Sequence, residues 1–284
     1  MAIIQYIILG IIQGITEPLP ISSSGHIRIF KELFNTNMFN DLNFEIISNF
    51  GSFLAILFIF RKDIIKLIKG FFTFIFTSEK NIEDEQEIKE IKKKKSDAKP
   101  LFKYCLLIII GSIPIGISGI LFKDILETKM ASIKIVGFAL LITAVSLFIV
   151  KNIKGSKEDK DITYIDAILI GLLQGIAIIP GISRSGTVLV GCLLRDFKRN
   201  TALKYTFMLY FPVSIAAMGL GIFDILKETN LNSIILPYTL GMIAAMIITY
   251  FAYNWLSKLV REGKLWKFAF YCIVVGIFVL YYFR

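Results

Sequence analysis

Gly10–His26 reads GIIQGITEPLPISSSGH, and Gly171–Thr187 reads GLLQGIAIIPGISRSGT. The two stretches align without a gap at an offset of 161 residues. Gly10, Gln13, Gly14, Ile15, Ile21, Ser22, Ser24 and Gly25 recur as Gly171, Gln174, Gly175, Ile176, Ile182, Ser183, Ser185 and Gly186. The same register sets Phe50 on Phe211 and Asp63-Ile64 on Asp224-Ile225. Chance does not hold one offset from Gly10 to Ile64, so the chain is a duplicated unit.

The material around these motifs is apolar. Of 284 residues, 55% are hydrophobic and 19% charged, and the mean hydropathy is +0.69. A soluble domain carries more charge than that. Leu101–Phe122, Ile133–Val150, Ile234–Tyr253 and Leu265–Tyr282 each approach the roughly 20 residues that cross a bilayer. The expectation is an all-α polytopic membrane protein, one membrane domain over residues 1–284. Repeat one covers about 1–150 and repeat two about 162–284. The opening run Met1–Ile12 lacks a basic leader and a small-residue cleavage site, so it reads as mature protein rather than a signal peptide.

Charge sets the topology. Basic residues crowd Arg61–Lys103, the segment after Val150 (Lys151, Lys154, Lys157, Lys160) and the segment after Trp255 (Lys258, Arg261, Lys264, Lys267). By the positive-inside rule these share the cytoplasmic side, while the connections near Lys123–Ser132 and Asp224–Ser233 lie outside. A charged cytoplasmic loop is expected over about 61–100, with its most polar part, Ser78–Lys99, a solvated and partly helical linker. Phe44–Phe60 then runs from outside to inside, and its counterpart Tyr205–Gly221 from inside to outside. Homologous spans in opposite directions make an inverted-topology repeat.

The motif segments are too short to span. Ile3–Ile12 and Ile165–Ile179 each run into a turn marked by Pro and Ser, and a second short apolar piece follows. This pattern predicts two re-entrant helical hairpins that meet mid-membrane. Broken backbone survives there only when buried in protein or lining a wet cavity.

Net charge of +10 raises nucleic acid as a partner, but no basic face interleaved with stacking aromatics is present, and nucleic-acid binding is excluded. Cys105, Cys192 and Cys272 sit in apolar segments without metal or disulfide spacing.

The chemistry concentrates at the two turns. Serines placed before a helix are natural N-caps. The helix behind them offers free N–H groups and the positive end of its dipole, which together favour an anion. Arg184 adds a planar fork of donors that suits phosphate oxygens. Glu17 is an ionisable group in an apolar segment, and function is the default reading of such a residue. It suits a general acid or base, or a ligand holding a divalent cation against phosphates. His26, the single histidine, suits attack on phosphorus or proton relay, and Ser23 and Ser24 are the candidate hydroxyls. Each residue also has a plainer role: capping for the serines, snorkelling for Arg184, a satisfied turn for Glu17, a structural position for His26. Their joint placement in two repeated segments favours a site. Glu45, near the start of a span, is a weaker member. Gln13 and Gln174 are expected to tie the two hairpins together by hydrogen bonds.

At these residues the sequence resembles the undecaprenyl-diphosphatase family, also called the bacitracin-resistance family, over essentially the whole chain. The first family motif matches Gln13 and Glu17 with Pro20-Ile21-Ser22-Ser23-Ser24-Gly25-His26. The second matches Pro180-Gly181-Ile182-Ser183-Arg184-Ser185-Gly186-Thr187, and Phe44-Glu45 resembles a recurring family pair. The resemblance implies a lipid phosphatase that releases phosphate from undecaprenyl diphosphate and recycles the glycan carrier. It implies a divalent cation (Mg or Ca), a site opening to the outer face of the cell membrane and, often, a homodimer. Glu17, Ser23, His26 and Arg184 would be catalytic, with Ser23 or His26 as nucleophile. Ser22, Ser24, Ser183, Ser185, Gly181, Thr187 and Gln13 would bind substrate. Two positions depart from the pattern. Gln13 stands where an acid is also found, and the family threonine falls at Val188, with Thr187 beside it.

The competing reading is transport of a polyprenyl phosphate, because inverted repeats with discontinuous helices are a transporter architecture. The pairing of Glu17 with His26 favours hydrolysis, since a transporter of phosphate lipids needs positive donors more than a base. The sequence leaves open an undecaprenyl or a dolichyl-type chain.

Overall fold

The computed structural model describes residues 2–34, 42–77, 84–122, 132–225 and 231–283. Among them the regular elements are helices: α1 (Ala2–Thr16), α2 (Ser23–Phe34), α3 (Leu42–Phe76), α4 (Glu85–Leu121), α5 (Ile133–Ile149), α6 (Tyr164–Ile176), α7 (Arg184–Leu194), α8 (Arg199–Ile225), α9 (Leu231–Arg261) and α10 (Trp266–Tyr282). A 3-10 turn lies at Asp159–Asp161.

The outer faces are apolar. On α4, Ile109, Ile113 and Ile117 are each about half exposed, and on α10, Phe270, Val274 and Ile277 are half exposed or more. These residues recur at steps of three and four, one helical face each. Water would penalise so large a patch; acyl chains accept it. Phe44–Phe76, Glu85–Leu121 and Ile235–Arg261 are long and apolar enough to cross a bilayer. The chain is a polytopic helical membrane protein.

The four helices that carry the quoted motifs are short. α1, α2, α6 and α7 have 15, 12, 13 and 11 residues. At ~1.5 Å per residue they reach only about 16–22 Å, against ~30 Å of hydrocarbon. Packing rather than length fixes them. α1 lies along α9, and α6 along α4. Each contact is made by Gly-x-x-x-Gly, Gly10 with Gly14 and Gly171 with Gly175. A Cβ on Gly10 would run into the Gly241 oxygen, and one on Gly171 would stand 2.6 Å from the Gly111 oxygen. Small residues at this spacing let membrane helices approach backbone to backbone.

The charged stretch about 61–100 is mainly helix. α3 continues to Phe76, and α4 starts at Glu85 behind Asp84, whose carboxylate accepts from the Gln86 N–H at 2.8 Å. Its Lys, Glu and Ile residues are adequate helix formers, and an N-cap supplies the start. With 35 and 37 residues, α3 and α4 measure about 52–56 Å, more than a bilayer needs. The connections at 123–131 and 226–230, expected on the opposite side, lie outside the described residues.

The base of the α6–α7 pair is closed by a buried acid. Asp166, at the third position of α6, accepts from the Thr163 N–H at 3.0 Å and hydroxyl at 2.8 Å. It also accepts from Lys157 Nζ at 3.0 Å and from Arg195 Nε, just past α7, at 2.7 Å. One fully buried carboxylate thus joins the start of α6 to the end of α7.

Candidate active site

Two turns meet at the centre of the site. After α1, Pro18 and Pro20 stop the helix, since proline has no N–H to donate and crowds the turn before it. Ser22 takes a left-handed φ of 71°. Its hydroxyl accepts from the Gly25 N–H at 3.2 Å and caps α2. After α6, Gly181 has φ 97°, and a Cβ there would lie 2.7 Å from Ala139 and 2.8 Å from Val136 of α5. Only glycine fits. Ser183 caps α7, accepting from the Gly186 N–H at 3.1 Å. Thr143 of α5 holds the second turn, donating to the Gly181 oxygen at 3.4 Å and accepting from the Ser183 N–H at 3.3 Å. The turns touch twice in matching fashion. A Cβ on Gly25 would stand 3.1 Å from Gly181 Cα, and one on Gly186 3.1 Å from Pro20 Cβ. At the 161-residue offset Gly25 answers to Gly186 and Pro20 to Gly181.

Glu17 is the hub. Its side chain is 7% exposed. Oε2 accepts from Ser23 Oγ at 2.6 Å and from Gln13 Nε2 at 2.9 Å. Oε1 accepts from Arg184 Nη2 at 2.9 Å. Gln13 also donates to Asn49 Oδ1 at 2.6 Å, tying the turn to α3. The Arg184 guanidinium lies 5.0 Å above the Tyr210 ring, a cation–π support. Ser185 donates to the Leu19 oxygen at 3.2 Å, a second bond between the turns. All of these residues except Gln13 border a cavity of about 330 Å³. Among the described residues a single Arg184 donor of its five is spent on protein, so the fork can still grip an anion.

The cavity gathers Glu17, Ser22, Ser23, Ser24, Glu45, Ser183, Arg184 and Ser185 on its walls. Arg184 answers to Ser23 at the 161-residue offset, so the second copy carries a guanidinium where the first carries a hydroxyl. Gln13 sits behind Glu17 rather than on the wall. Three more expected members are off the wall as well. His26 faces away, toward α10. Its Nδ1 is 2.8 Å from the Ser22 carbonyl oxygen and so carries the proton, which leaves Nε2 to accept from Tyr271 Oη at 2.8 Å. The rings stack at 5.5 Å, beside a separate, mainly apolar cavity of about 460 Å³. Thr187 is off the wall, and Val188 is on it, because Val188 is one helical turn after Arg184. Gly181 serves the turn's shape and its packing on α5. The expected tie between Gln13 and Gln174 is absent among the described residues: Gln13 spends its amide on Glu17 and Asn49, and Gln174 Nε2 is buried without a partner.

Sequence reasoning missed Asn49, Thr206 and Tyr210, which also line the cavity. A signal existed. At the same offset Glu45 answers to Thr206 and Asn49 to Tyr210. Carrying the repeat past the turns brings all four to one wall. Thr143, buried under the second turn, has no such mark.

A divalent cation fits the donor set. Among the described residues no three His, Cys, Asp or Glu gather as a metal site. The cavity nevertheless offers hard oxygen donors from Glu17, Glu45 and Asn49. Mg and Ca accept one or two carboxylates and complete their shell with water and phosphate oxygens.

Such a fold and such a site define a helical integral membrane protein with an internal acid–serine–arginine chamber suited to an anionic headgroup. The chain belongs to the family described as bacitracin resistance protein BacA, whose family model matches residues 6–278. It is 41% identical over 278 residues to undecaprenyl-diphosphatase 2 of Bacillus thuringiensis (strain Al Hakam), covering 98% of this chain and 97% of the relative. It is 41% identical over 280 residues to the undecaprenyl-diphosphatase of Oceanobacillus iheyensis, covering 98% and 96%. With undecaprenyl-diphosphatase 1 of Bacillus licheniformis the identity is 36% over 281 residues, covering 99% and 98%.

Proposed function

We propose that this protein is a membrane phosphatase that hydrolyses undecaprenyl diphosphate to the monophosphate and inorganic phosphate, recycling the lipid carrier of cell-wall synthesis. The carrying observation is the chain of contacts from Ser23 Oγ through Glu17 to Arg184, made across the two turns inside one cavity.

The terminal phosphate sits among Arg184, Ser22, Ser24, Ser183 and Ser185. The prenyl chain leaves the cavity toward lipid. Ser23 Oγ attacks the terminal phosphorus and gives its proton to Glu17, 2.6 Å away. The bond from phosphorus to the bridging oxygen breaks, and undecaprenyl phosphate departs. Water then gives a proton to Glu45 on the same wall and attacks the phosphoserine; as the bond from phosphorus to Ser23 Oγ breaks, Glu17 returns its proton to that oxygen and inorganic phosphate leaves. Arg184 neutralises charge on the equatorial oxygens, the main demand of phosphoryl transfer. Glu17 and Glu45 with Asn49 would hold Mg or Ca, which would supply further positive charge to the phosphates. His26 holds the turn through Ser22 and Tyr271, which favours Ser23 over His26 as nucleophile.

The membrane arrangement belongs to the same proposal. The described helices fall into two sets of five, and their packing exchanges between sets: α1 on α9 answers to α6 on α4, while α5 meets α10 and α3 meets α8. This exchange supports an inverted repeat with α1–α2 and α6–α7 as re-entrant hairpins. The Lys-rich segments are cytoplasmic by the positive-inside rule, and the chamber opens to the outer side. The homodimer implied by the family resemblance stands on the same footing, and the mass of the detergent-solubilised particle tests it.

The direct experiment measures phosphate release from undecaprenyl diphosphate by purified protein with Mg, with Ca and with chelator. Metal-dependent release, abolished by Ser23→Ala and retained in part by His26→Gln, is expected. Absence of release from folded protein under every metal condition would sink the phosphatase reading. Loss in His26→Gln with full retention in Ser23→Ala would reverse the assignment of the nucleophile.

A further inference from the structure

Helices α3 and α4 outrun the bilayer, and their surplus forms a further groove that shares no lining residue with the chamber. It measures about 550 Å³. Lys62, Lys66 and Lys69 line it from α3, Lys94 and Asp97 from α4, over a floor that includes Ile65 and Leu101. All four lysines are exposed, and among the described residues none of them is in an ion pair.

The walls are fixed. Phe71 and Phe74 stack on Phe102 at 5.3 and 4.5 Å. A Cβ on Gly70 would stand 2.5 Å from Leu101 Cβ, so the helices are in close contact along the groove. Beside the lysines, α3 exposes Ile65, Ile68, Phe72 and Ile75, each about half accessible. Cations next to an exposed apolar face are the mark of a segment lying at a lipid headgroup layer.

The groove is also an addition to the repeat. Gly10 packs on Gly241 and Gly171 on Gly111. Gly171 follows Gly10 by 161 residues, but Gly241 follows Gly111 by only 130, so the first half is 31 residues longer before that point. The excess falls in the stretch that builds the groove, and the second half has no equivalent of it.

We propose that this groove binds the headgroup of an anionic phospholipid of phosphatidylglycerol type, drawn from the leaflet it borders. The lysines meet the phosphate, and the Ile and Phe face meets the acyl chains. Asp97 disfavours a bare phosphate and accepts from the glycerol hydroxyls. This site is independent of the hydrolytic reading, and its test does not use turnover.

Native mass spectrometry on full-length protein from micelles holding equal phosphatidylglycerol and phosphatidylcholine reads the preference directly. The wild type is expected to retain phosphatidylglycerol selectively. Each of Lys62→Gln, Lys66→Gln, Lys69→Gln and Lys94→Gln, single exposed substitutions that leave the fold intact, should lower the retained ratio by roughly fivefold. The same change at Lys151, Lys154, Lys258 or Arg261 should leave the ratio unchanged. Equal loss in both sets, or no loss in the first, overturns the proposal. Displacement of the lipid by soluble glycerol phosphate at equal concentration would overturn it too, by showing a site for free phosphate.

Discussion

The two hairpins are copies in sequence and opposites in chemistry. At the 161-residue offset, Thr16, Glu17, Ser22, Ser23, Ser24, Glu45 and Asn49 answer to Ala177, Ile178, Ser183, Arg184, Ser185, Thr206 and Tyr210. Every member of both series borders the same cavity. Ser22 and Ser183 are kept because each turn needs an N-cap, and Ser24 and Ser185 stand beside those caps at 3.5 and 3.3 Å. The other positions have diverged. The first copy supplies two carboxylates, the serine hydroxyl and an amide; the second supplies the guanidinium and an aromatic ring. The halves also differ in how they are held. Asp166 clamps the base of α6–α7, and its counterpart in α1 is Gln5. Duplication built the chamber's frame, and divergence across it built the charge separation that a phosphoryl group requires.

The sharpest way to break this comparison is to make the copies alike at the hub. Arg184→Ser would restore the first copy's residue, and Glu17→Ile the second's. Either removes one half of the Glu17–Arg184 pair, and turnover should fall by about 10³-fold or more, the scale of losing a preorganised charge at a transferring phosphate. Phosphate-release kinetics on folded protein decides it. Turnover within about tenfold of wild type in Arg184→Ser would mean that the divergence at this position is not catalytic.

Next in size is the clamp. Asp166→Ala leaves Lys157 and Arg195 without their shared acceptor; both cations keep access to water, so the loss is that of charge-assisted hydrogen bonds, about 2–3 kcal/mol. Thermal unfolding in detergent should show the loss, while the surviving folded fraction keeps most of its turnover. Gln5→Ala in the first copy should cost little. Equal destabilisation by the two would show that the clamp is not the difference between the hairpins.

How much of this can be read from sequence follows from which signals are local. The turns are legible because Pro18, Pro20 and Gly181 break helices and serines cap them, all within a few residues. The Glu17–Arg184 meeting is legible because the repeat juxtaposes the two segments. The extent of α3 and α4 is not, since a run of Lys and Glu looks the same in a solvated loop and in a helix that projects beyond lipid. His26 reads as a member of the chamber because its actual partner, Tyr271, is 245 residues away and carries no motif. The Gly-x-x-x-Gly pairs stand in plain view as marks of duplication, and they also dictate which helices pack.

A smaller effect is expected at Tyr210, the residue that replaces Asn49 in the second copy. Its ring supports Arg184 from 5.0 Å. Tyr210→Leu keeps bulk and removes the π face, a loss of about 0.5–2 kcal/mol, so turnover should fall by roughly twofold to thirtyfold. The loss should lie in kcat if Arg184 is misaimed in the transition state. A pure change in KM would assign the ring to substrate binding instead.

The smallest expected effect tests where the second copy's chamber wall ends. Arg184, Ser185 and Val188 border the cavity, and Thr187 does not. Arg184 and Val188 are four residues apart and share a face of α7, whereas Thr187 is turned out of the arc between Ser185 and Val188. Its hydroxyl therefore has no route to a bound phosphate. Thr187→Val should leave turnover and KM within about twofold. Val188→Thr places a hydroxyl on the wall itself, and one net hydrogen bond of about 1 kcal/mol would lower KM by up to roughly fivefold. A loss of about tenfold in Thr187→Val would move the phosphate subsite one residue along α7 and would require the helix to rotate from its position here. The pair of variants thus reads the phase of α7 against the chamber without touching Glu17, Ser23 or Arg184.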